Sequence, residues 1–282
     1  MTEPRPPHYA VIGHPIAHSR SPAIHAAFAA QAGVALRYEA VLAPLDGFAT
    51  TLKALRDDGL QGCNVTLPFK PEALAAADLA SDRAQLAGAA NTLGWTSDAR
   101  LWADNTDGLG LLRDIEHNAG CKLAGCQLLL LGAGGASSGC LGPLLEARPA
   151  RLLVWNRSSS KAHELVSRHE SLAARLGVQL AALEHLQGAP GRFDVVINGT
   201  SAALHSGRLE LPEGLLNADG LALDMVYGPA SAPFLDWAAR AAPGARRRDG
   251  LGMLVEQAAE AFQRWHGVRP DTAAVLSQMR AA

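Results

Sequence analysis

The sequence predicts an α/β protein of two domains. Three observations carry this reading. The 282 residues exceed the ~100–200 of an average domain. Strand and helix signals alternate along the chain, and the continuous apolar run Gln127–Leu131 meets a glycine-rich turn at Gly132.

The first part reads as short strand and helix cycles. Tyr9–Gly13 is apolar and stops at Gly-His-Pro, as a strand entering a loop does. A helix follows with Ser21 as N-cap, Pro22 as its first residue and Gly33 just past its end, while Ile24, Ala27, Phe28 and Gln31 share one face. Leu36–Leu42 reads as a strand, and Phe48, Leu52 and Leu55 recur at helical spacing until Gly59. In Gly62–Leu67 the residues Cys63, Val65 and Leu67 alternate with Asn64 and Thr66, which places the polar pair on one face at a strand end. Pro68 and Pro71 break that strand, so Lys70 falls in the loop or at the start of an Ala-rich helix. Gly88–Leu93 and Leu101–Ala103 read as further strands. Asp104, Asn105, Thr106 and Asp107 then offer N-caps to a helix carrying Leu109, Leu112 and Ile115, and a domain junction is placed there.

The second part has the rhythm of a parallel sheet. Gln127–Leu131 suits a strand buried on both faces, and Arg151–Trp155, Val178–Leu180, Asp194–Ile197 and Leu221–Met225 supply later strands. Helical stretches Lys161–Arg168 and Ser231–Ala241 accompany them. Gly250 opens an amphipathic helix with Leu254, Ala258, Ala261, Phe262 and Trp265, and Val275–Met279 completes the chain.

Composition narrows the function classes. Hydrophobic residues at 48% and charged residues at 18% describe an ordinary globular protein. A formal net charge of −2 gives no electrostatic reason to bind nucleic acid or an anionic membrane, so the expected partner is a small molecule. No signal core and no run of ~20 apolar residues is present, which predicts a cytoplasmic protein. Cys63, Cys121, Cys126 and Cys140 form no CxxC pair and have no histidine at zinc-finger spacing, so reduced thiols and no metal are expected.

Gly132, Gly134 and Ser137 occupy the places of a GxGxxG fingerprint, with Ala133, Gly135 and Ala136 between them, after a strand and before a helix. The first glycine permits a tight turn, the second lets backbone approach a pyrophosphate, and the helix N-terminus offers amides to phosphate charge. Ser137 departs from the third glycine, at a position that governs packing. Past the next strand, where an acidic residue would hold the ribose of NAD, stand Asn156, Arg157 and Ser158. A guanidinium there pairs with a 2′-phosphate, with Lys161 nearby, so NADP is preferred; the alternative leaves Arg157 as an exposed surface charge.

Five segments then converge. Ser19-Arg20-Ser21-Pro22, Asn64 to Lys70 (NVTLPFK), Gly88 to Leu93 (GAANTL), Asp104 to Gly108 (DNTDG) and Asp249 to Gln257 (DGLGMLVEQ) resemble the signatures of the shikimate dehydrogenase family, in order and spacing, from about Tyr9 to Asp271. The resemblance implies a mixed-sheet α/β substrate domain over 1–106 and 250–282, and a Rossmann-like parallel-sheet NADP domain over 107–249. It implies NADP-dependent interconversion of 3-dehydroshikimate and shikimate. By resemblance, Ser19, Ser21, Asn64, Thr66, Lys70, Asn91, Asp107, Tyr227 and Gln257 bind substrate, with Lys70 and Asp107 catalytic. The cofactor set it implies is Asp82, Gly132, Ala133, Gly134, Gly135, Ala136, Asn156, Arg157, Ser158, Lys161, Met225 and Gly250. A homodimer is admitted as the assembly.

These residue types suit the chemistry. A polyhydroxylated acid is selected by hydroxyl and amide groups that are costly to leave unpaired. Reducing a ketone builds negative charge on its oxygen, which a lysine ammonium stabilises and protonates. Taken singly, Ser21 also fits a helix cap, Asn64 a strand-edge polar residue, Gln257 an exposed helical side chain and Lys70 a solvated lysine. Two alternatives stand beside the main reading: a quinate/shikimate dehydrogenase with broader substrate and NAD use, and a non-catalytic NADP-sensing protein of the same fold. Ser21 and Arg157 speak against the first, and Lys70 with Asp107 against the second.

Overall fold

The computed structural model describes residues 6–189, 191–200 and 210–281. Its contacts divide the chain into two compact units, Met1–Gly110 with Val255–Ala282, and Leu111–Leu254. The divisions fall inside two helices, a few residues beyond the positions 106 and 249 read from the sequence.

Among the described residues, the first unit holds a six-stranded sheet built from β1 (His8–Gly13), β2 (Arg37–Leu42), β3 (Leu60–Val65), β4 (Leu79–Ala80), β5 (Thr92–Trp95) and β6 (Leu101–Asp104), in the order β2-β1-β3-β5-β6-β4. β1 runs parallel to β2 and β3, while β5 is antiparallel to both β3 and β6, so the sheet is mixed as expected. Helices α1 (Ser21–Ala32), α2 (Phe48–Asp57), α3 (Lys70–Ala75), α4 (Asp82–Ala87) and α5 (Asp107–Arg113) connect these strands and lead out of β6. The core of this sheet gathers Ile12, Phe48, Leu60, Val65, Phe69 and Leu93.

Two local readings change. Ser21 is not the N-cap of α1 but its first residue; Arg20 takes the cap position, and no side chain caps the helix there. Gly33 does end it in the left-handed region, at φ 64°. Gly88–Leu93 is not one strand. Ser81 caps α4 by accepting from the Ala84 amide, Gly88 closes that helix at φ 65°, and the strand begins only at Thr92. An apolar Gly-Ala-Ala run has no period that separates a helix end from a strand.

The second unit is all parallel. Its strands are β7 (Gln127–Leu131), β8 (Arg151–Trp155), β9 (Gln179–Leu183), β10 (Phe193–Asn198), β11 (Leu216–Asp224) and β12 (Arg246–Arg248), in the order β12-β11-β10-β7-β8-β9. Leu128, Leu129, Leu130 and Leu131 are wholly buried, which is what helices on both faces of a parallel sheet require. Those helices include α6 (Gly135–Glu146), α7 (Ser159–Leu176) and α8 (Ala232–Ala241).

The last helices, α9 (Leu251–His266) and α10 (Thr272–Ala281), bring the chain back to the first unit. Phe262 packs edge-on to Phe28 of α1, and Trp265 donates from Nε1 to the Leu93 carbonyl at 3.1 Å. Trp265 lies so close to Gly62 that a Cβ there would sit 2.6 Å from its Nε1, so β3 needs a glycine at this position.

Candidate active site

Sheet register explains why distant motifs meet. β5 lies between β3 and β6, with Asn64 opposite Thr92 and Thr92 opposite Asp104. Three polar segments therefore end side by side. Lys70 is the first residue of α3, the second of the two places the sequence leaves open, after the buried Phe69, which stacks on Phe48. Asp107 is the first residue of α5, with its amide donating to Asn105 Oδ1 at 3.1 Å.

Lys70 Nζ donates to Asp107 Oδ2 at 2.5 Å, with side chains only 14% and 8% exposed. The other carboxylate oxygen accepts from Asn91 Nδ2 at 2.8 Å. Asn91 is itself held: Nδ2 also reaches Gln257 Oε1 at 3.2 Å, and Oδ1 accepts from the Thr106 amide at 2.8 Å and the Thr92 hydroxyl at 2.9 Å. Thr106 Oγ1 donates to the Gln257 carbonyl at 3.1 Å, tying α9 to this loop. Asn64 and Gln257 are buried, which sets aside the strand-edge and exposed-helix readings of these two.

The remaining predicted substrate residues lie on several separate elements. Ser21 is buried, and its amide donates to Ser19 Oγ at 3.3 Å. The Thr66 amide donates to the Ile12 carbonyl at 2.9 Å, and Gly13 makes room for its methyl group, since a Cβ at Gly13 would lie 2.4 Å from Thr66 Cγ2. Tyr227 belongs to the other unit, at the N-cap of a 3-10 turn over Gly228–Ser231. Asp82 stands exposed at the start of α4.

In the second unit, Gly132 has φ +100°, and a Cβ would lie 2.9 Å from the Gly199 backbone, so the tight turn needs a glycine. Gly134 is the N-cap of α6, and a Cβ on Gly134 or Gly135 would meet nothing within 4 Å. That open backbone at a helix N-terminus fits a pyrophosphate. Ser137 is wholly buried, with Oγ 2.4 Å from where a Cβ of Gly199 would be, so the third fingerprint position is a packing position. The Ala133 amide donates to Asn156 Oδ1 at 3.1 Å, which joins the turn to the end of β8; Arg157, Ser158 and Lys161 follow, all exposed. Met225 follows the end of β11, and a Cβ on Gly250 would overlap the Met225 carbonyl oxygen, so only glycine fits. The residues present fit a dinucleotide carrying a 2′-phosphate.

Asp104 was read only as a cap, yet it is a wholly buried anchor. It accepts from Arg83 Nε at 2.7 Å, Ser81 Oγ at 2.6 Å and the Asn105 amide at 2.8 Å. It thus holds the loop that carries Asp107. Asp224, at the end of β11, accepts from Asn198 Nδ2 at 2.9 Å and from the Val226 amide at 2.9 Å; burial raises its carboxyl to about 6 against those hydrogen bonds. Asp104 stands inside the quoted DNTDG motif, whereas Asp224 lies in a strand reading with no motif to separate it from a surface carboxylate. Among the described residues, no cluster of histidine, cysteine or acidic side chains fit to hold a metal is found, and no helix is long and apolar enough to cross a membrane.

A Rossmann-like unit with a dinucleotide turn, and a mixed-sheet unit with a buried lysine–carboxylate pair, define a two-domain dinucleotide-dependent oxidoreductase. Three family models match in succession: the shikimate dehydrogenase substrate binding domain over residues 11–93, shikimate / quinate 5-dehydrogenase over 114–211, and the shikimate 5′-dehydrogenase C-terminal domain over 250–280. The chain is 54% identical over 274 residues to a shikimate dehydrogenase (NADP(+)) of Verminephrobacter eiseniae, covering 97% of this chain and 94% of the relative. It resembles an Ael1 enzyme structure from Pseudomonas putida at 46% identity and TM-score 0.84, covering 96% and 97% of the two chains. A Thermus thermophilus shikimate 5-dehydrogenase in complex with NADP(H) and shikimate matches at 34% identity and TM-score 0.83, covering 98% and 99%. The chain belongs to the shikimate dehydrogenase family, as its sequence motifs indicate.

Proposed function

We infer that this chain catalyses the reversible NADPH-dependent reduction of 3-dehydroshikimate to shikimate, a step in aromatic amino-acid biosynthesis. The observation that carries the reading is the buried Lys70–Asp107 pair, 2.5 Å apart and braced by Asn91, within a family of NADP-dependent dehydrogenases.

Bound NADPH supplies the hydride. Lys70 stabilises the charge that develops on the carbonyl oxygen and gives it a proton from Nζ. Asp107 aims the ammonium and balances its charge. In the oxidative direction the hydroxyl proton passes to the Lys70–Asp107 pair. Asn64, Thr66, Asn91, Gln257 and Tyr227 offer hydroxyl and amide groups to the ring, and Ser19 with Ser21 grips the carboxylate. The α6 N-terminus receives the pyrophosphate through Gly134 to Ala136. Asn156, Arg157, Ser158 and Lys161 hold the 2′-phosphate end, while Met225 and Gly250 shape the backbone on the sheet side. Asp82 belongs to the cofactor set on family likeness alone. No contribution from a metal enters this scheme.

Cytoplasmic residence and a homodimer belong to the same proposal. Cys63, Cys121, Cys126 and Cys140 form no disulfide, which suits a reducing compartment, and the exposed Leu42 and Leu45 offer apolar surface to a second copy. The test is to mix the purified chain with 3-dehydroshikimate and NADPH and follow the loss of NADPH absorbance. Turnover with formation of shikimate is expected, and its absence would overturn the reading.

A further inference from the structure

Tyr38 lies on β2, outside the five motif segments quoted from the sequence. Its phenol donates to Asn64 Oδ1 over 2.8 Å. Its ring stacks on the buried His25, with centroids 4.2 Å apart and planes 8° from parallel. Burial, reinforced by Cys63 and opposed by the Ser21 hydroxyl, holds this phenol protonated well above its ordinary range. The O–H is therefore the donor.

The other end of Asn64 is fixed independently. Nδ2 faces the Asn91 carbonyl at 3.2 Å, a group that only accepts. It also faces Thr92 Oγ1 at 3.2 Å, whose own hydrogen goes to Asn91 Oδ1. Both amide hydrogens are thus committed, and Tyr38 occupies one of the two lone pairs on Oδ1. Neither ring nitrogen of the neighbouring His25 has a hydrogen-bond partner in this geometry, so at most a single acceptor position remains.

We propose that Tyr38 is a positioning residue that sets substrate specificity: it locks Asn64 so that this side chain accepts a hydrogen from a substrate hydroxyl and offers nothing to a keto or ether oxygen. The inference rests on the functional reading above, in which Asn64 faces the substrate. The same polarity continues through the site, because each donor hands on to the next acceptor from Tyr38 through Asn64, Thr92 and Asn91 to Asp107, where Lys70 donates from the other side. Such chains polarise their members in one direction, so Tyr38 supports the orientation of groups it does not touch.

Tyr38→Phe keeps the ring and removes only the hydroxyl. The expected result is a roughly five- to tenfold rise in the shikimate KM with little change in kcat or in the NADP KM. In an Asn64→Ala background the same substitution should add nothing, because Tyr38 acts through Asn64. An unchanged shikimate KM in Tyr38→Phe, an equal rise in both KM values, or an undiminished effect in the Asn64→Ala background would overturn the proposal. If Tyr38→Phe fails to fold, the wild-type chain answers with shikimate analogues bearing fluorine in place of one ring hydroxyl at a time, which keep size and lose the hydrogen. One analogue should bind at least about tenfold more weakly than shikimate; undiminished binding of all of them would contradict the proposal. Wild-type turnover of shikimate with NADP is measured first: its absence defeats the functional reading, whereas its presence with an unmoved Tyr38→Phe defeats this inference alone.

Discussion

The two compact units treat their polar groups in opposite ways. In the mixed-sheet unit, Asn64, Asn91, Thr106, Asp107 and Gln257 are buried and already joined to one another. In the parallel-sheet unit, Gly134, Gly135, Arg157, Ser158 and Lys161 are exposed. The difference follows from what each is asked to recognise. Telling neutral hydroxyls apart demands donors and acceptors whose direction is set in advance, because an unpaired buried group costs ~1–3 kcal/mol. A 2′-phosphate is recognised by charge, which reaches further and tolerates looser placement.

The largest effect is expected where the buried network meets the reacting atoms. Lys70→Ala should lower the rate of the chemical step by ~10²–10⁴-fold while shikimate binding changes far less, since the proton transfer strengthens in the transition state. Single-turnover kinetics separates the two, and an unchanged rate would remove Lys70 from the mechanism.

The next comparison is by pH. His25, in the mixed-sheet unit, is pushed down to about 3 chiefly by burial, with the Asn64 side chain opposing and His266 adding to the shift. Its folded-state value lies below the unfolded one, so the stability it contributes is complete above about pH 6.5 and is lost as pH falls toward 3. The loss runs at about 1.4 kcal/mol per pH unit, roughly 4 kcal/mol by pH 3.5. Asp224, in the parallel-sheet unit, is raised to about 6, chiefly by burial, so its sign is reversed. The folded state holds its proton more tightly, and stability declines as pH rises from about 4 to 6, by up to about 3 kcal/mol. Denaturant unfolding at several pH values should show His25→Phe flattening the acid limb, and Asp224→Asn gaining on the wild type between pH 4 and 6. Parallel pH profiles for wild type and both variants would break the contrast.

A smaller effect belongs to the exposed charges. Arg157→Ala should reduce the ratio of NADP to NAD efficiency by about 10- to 150-fold, the equivalent of ~1.5–3 kcal/mol for a charge-assisted bond. Lys161 belongs to the same proposed phosphate set, so Arg157→Ala/Lys161→Ala should lose more than the single variant. A ratio unchanged in both would place cofactor selection elsewhere.

The same contrast decided what was legible in the sequence. The parallel-sheet unit announces itself because a strand buried on both faces is written as continuous leucine, and its turn needs glycine at φ +100° at Gly132. Lys70 was legible as lying in the loop or at the helix start, because the prolines on either side break the strand, and the structure chooses the helix start. The buried network was visible as motifs but not as a circuit. Asn64, Thr92 and Asp104 become neighbours only through strand register, and no local period encodes which strands pair. Tyr38 was invisible for the same reason, as one tyrosine on an edge strand. The misplaced cap at Ser21 and the misread strand at Gly88 share a cause: small residues around glycine and proline satisfy two local rules equally, and tertiary packing chooses between them.

The most direct test of the account is the set of four oxidation efficiencies, kcat/KM for shikimate and quinate, each with NADP and with NAD, on the purified chain. A pre-oriented hydroxyl site paired with a cationic cofactor site predicts that shikimate with NADP exceeds the other three, NAD costing at least about tenfold. Quinate turned over as well as shikimate, or NAD used as well as NADP, would contradict it.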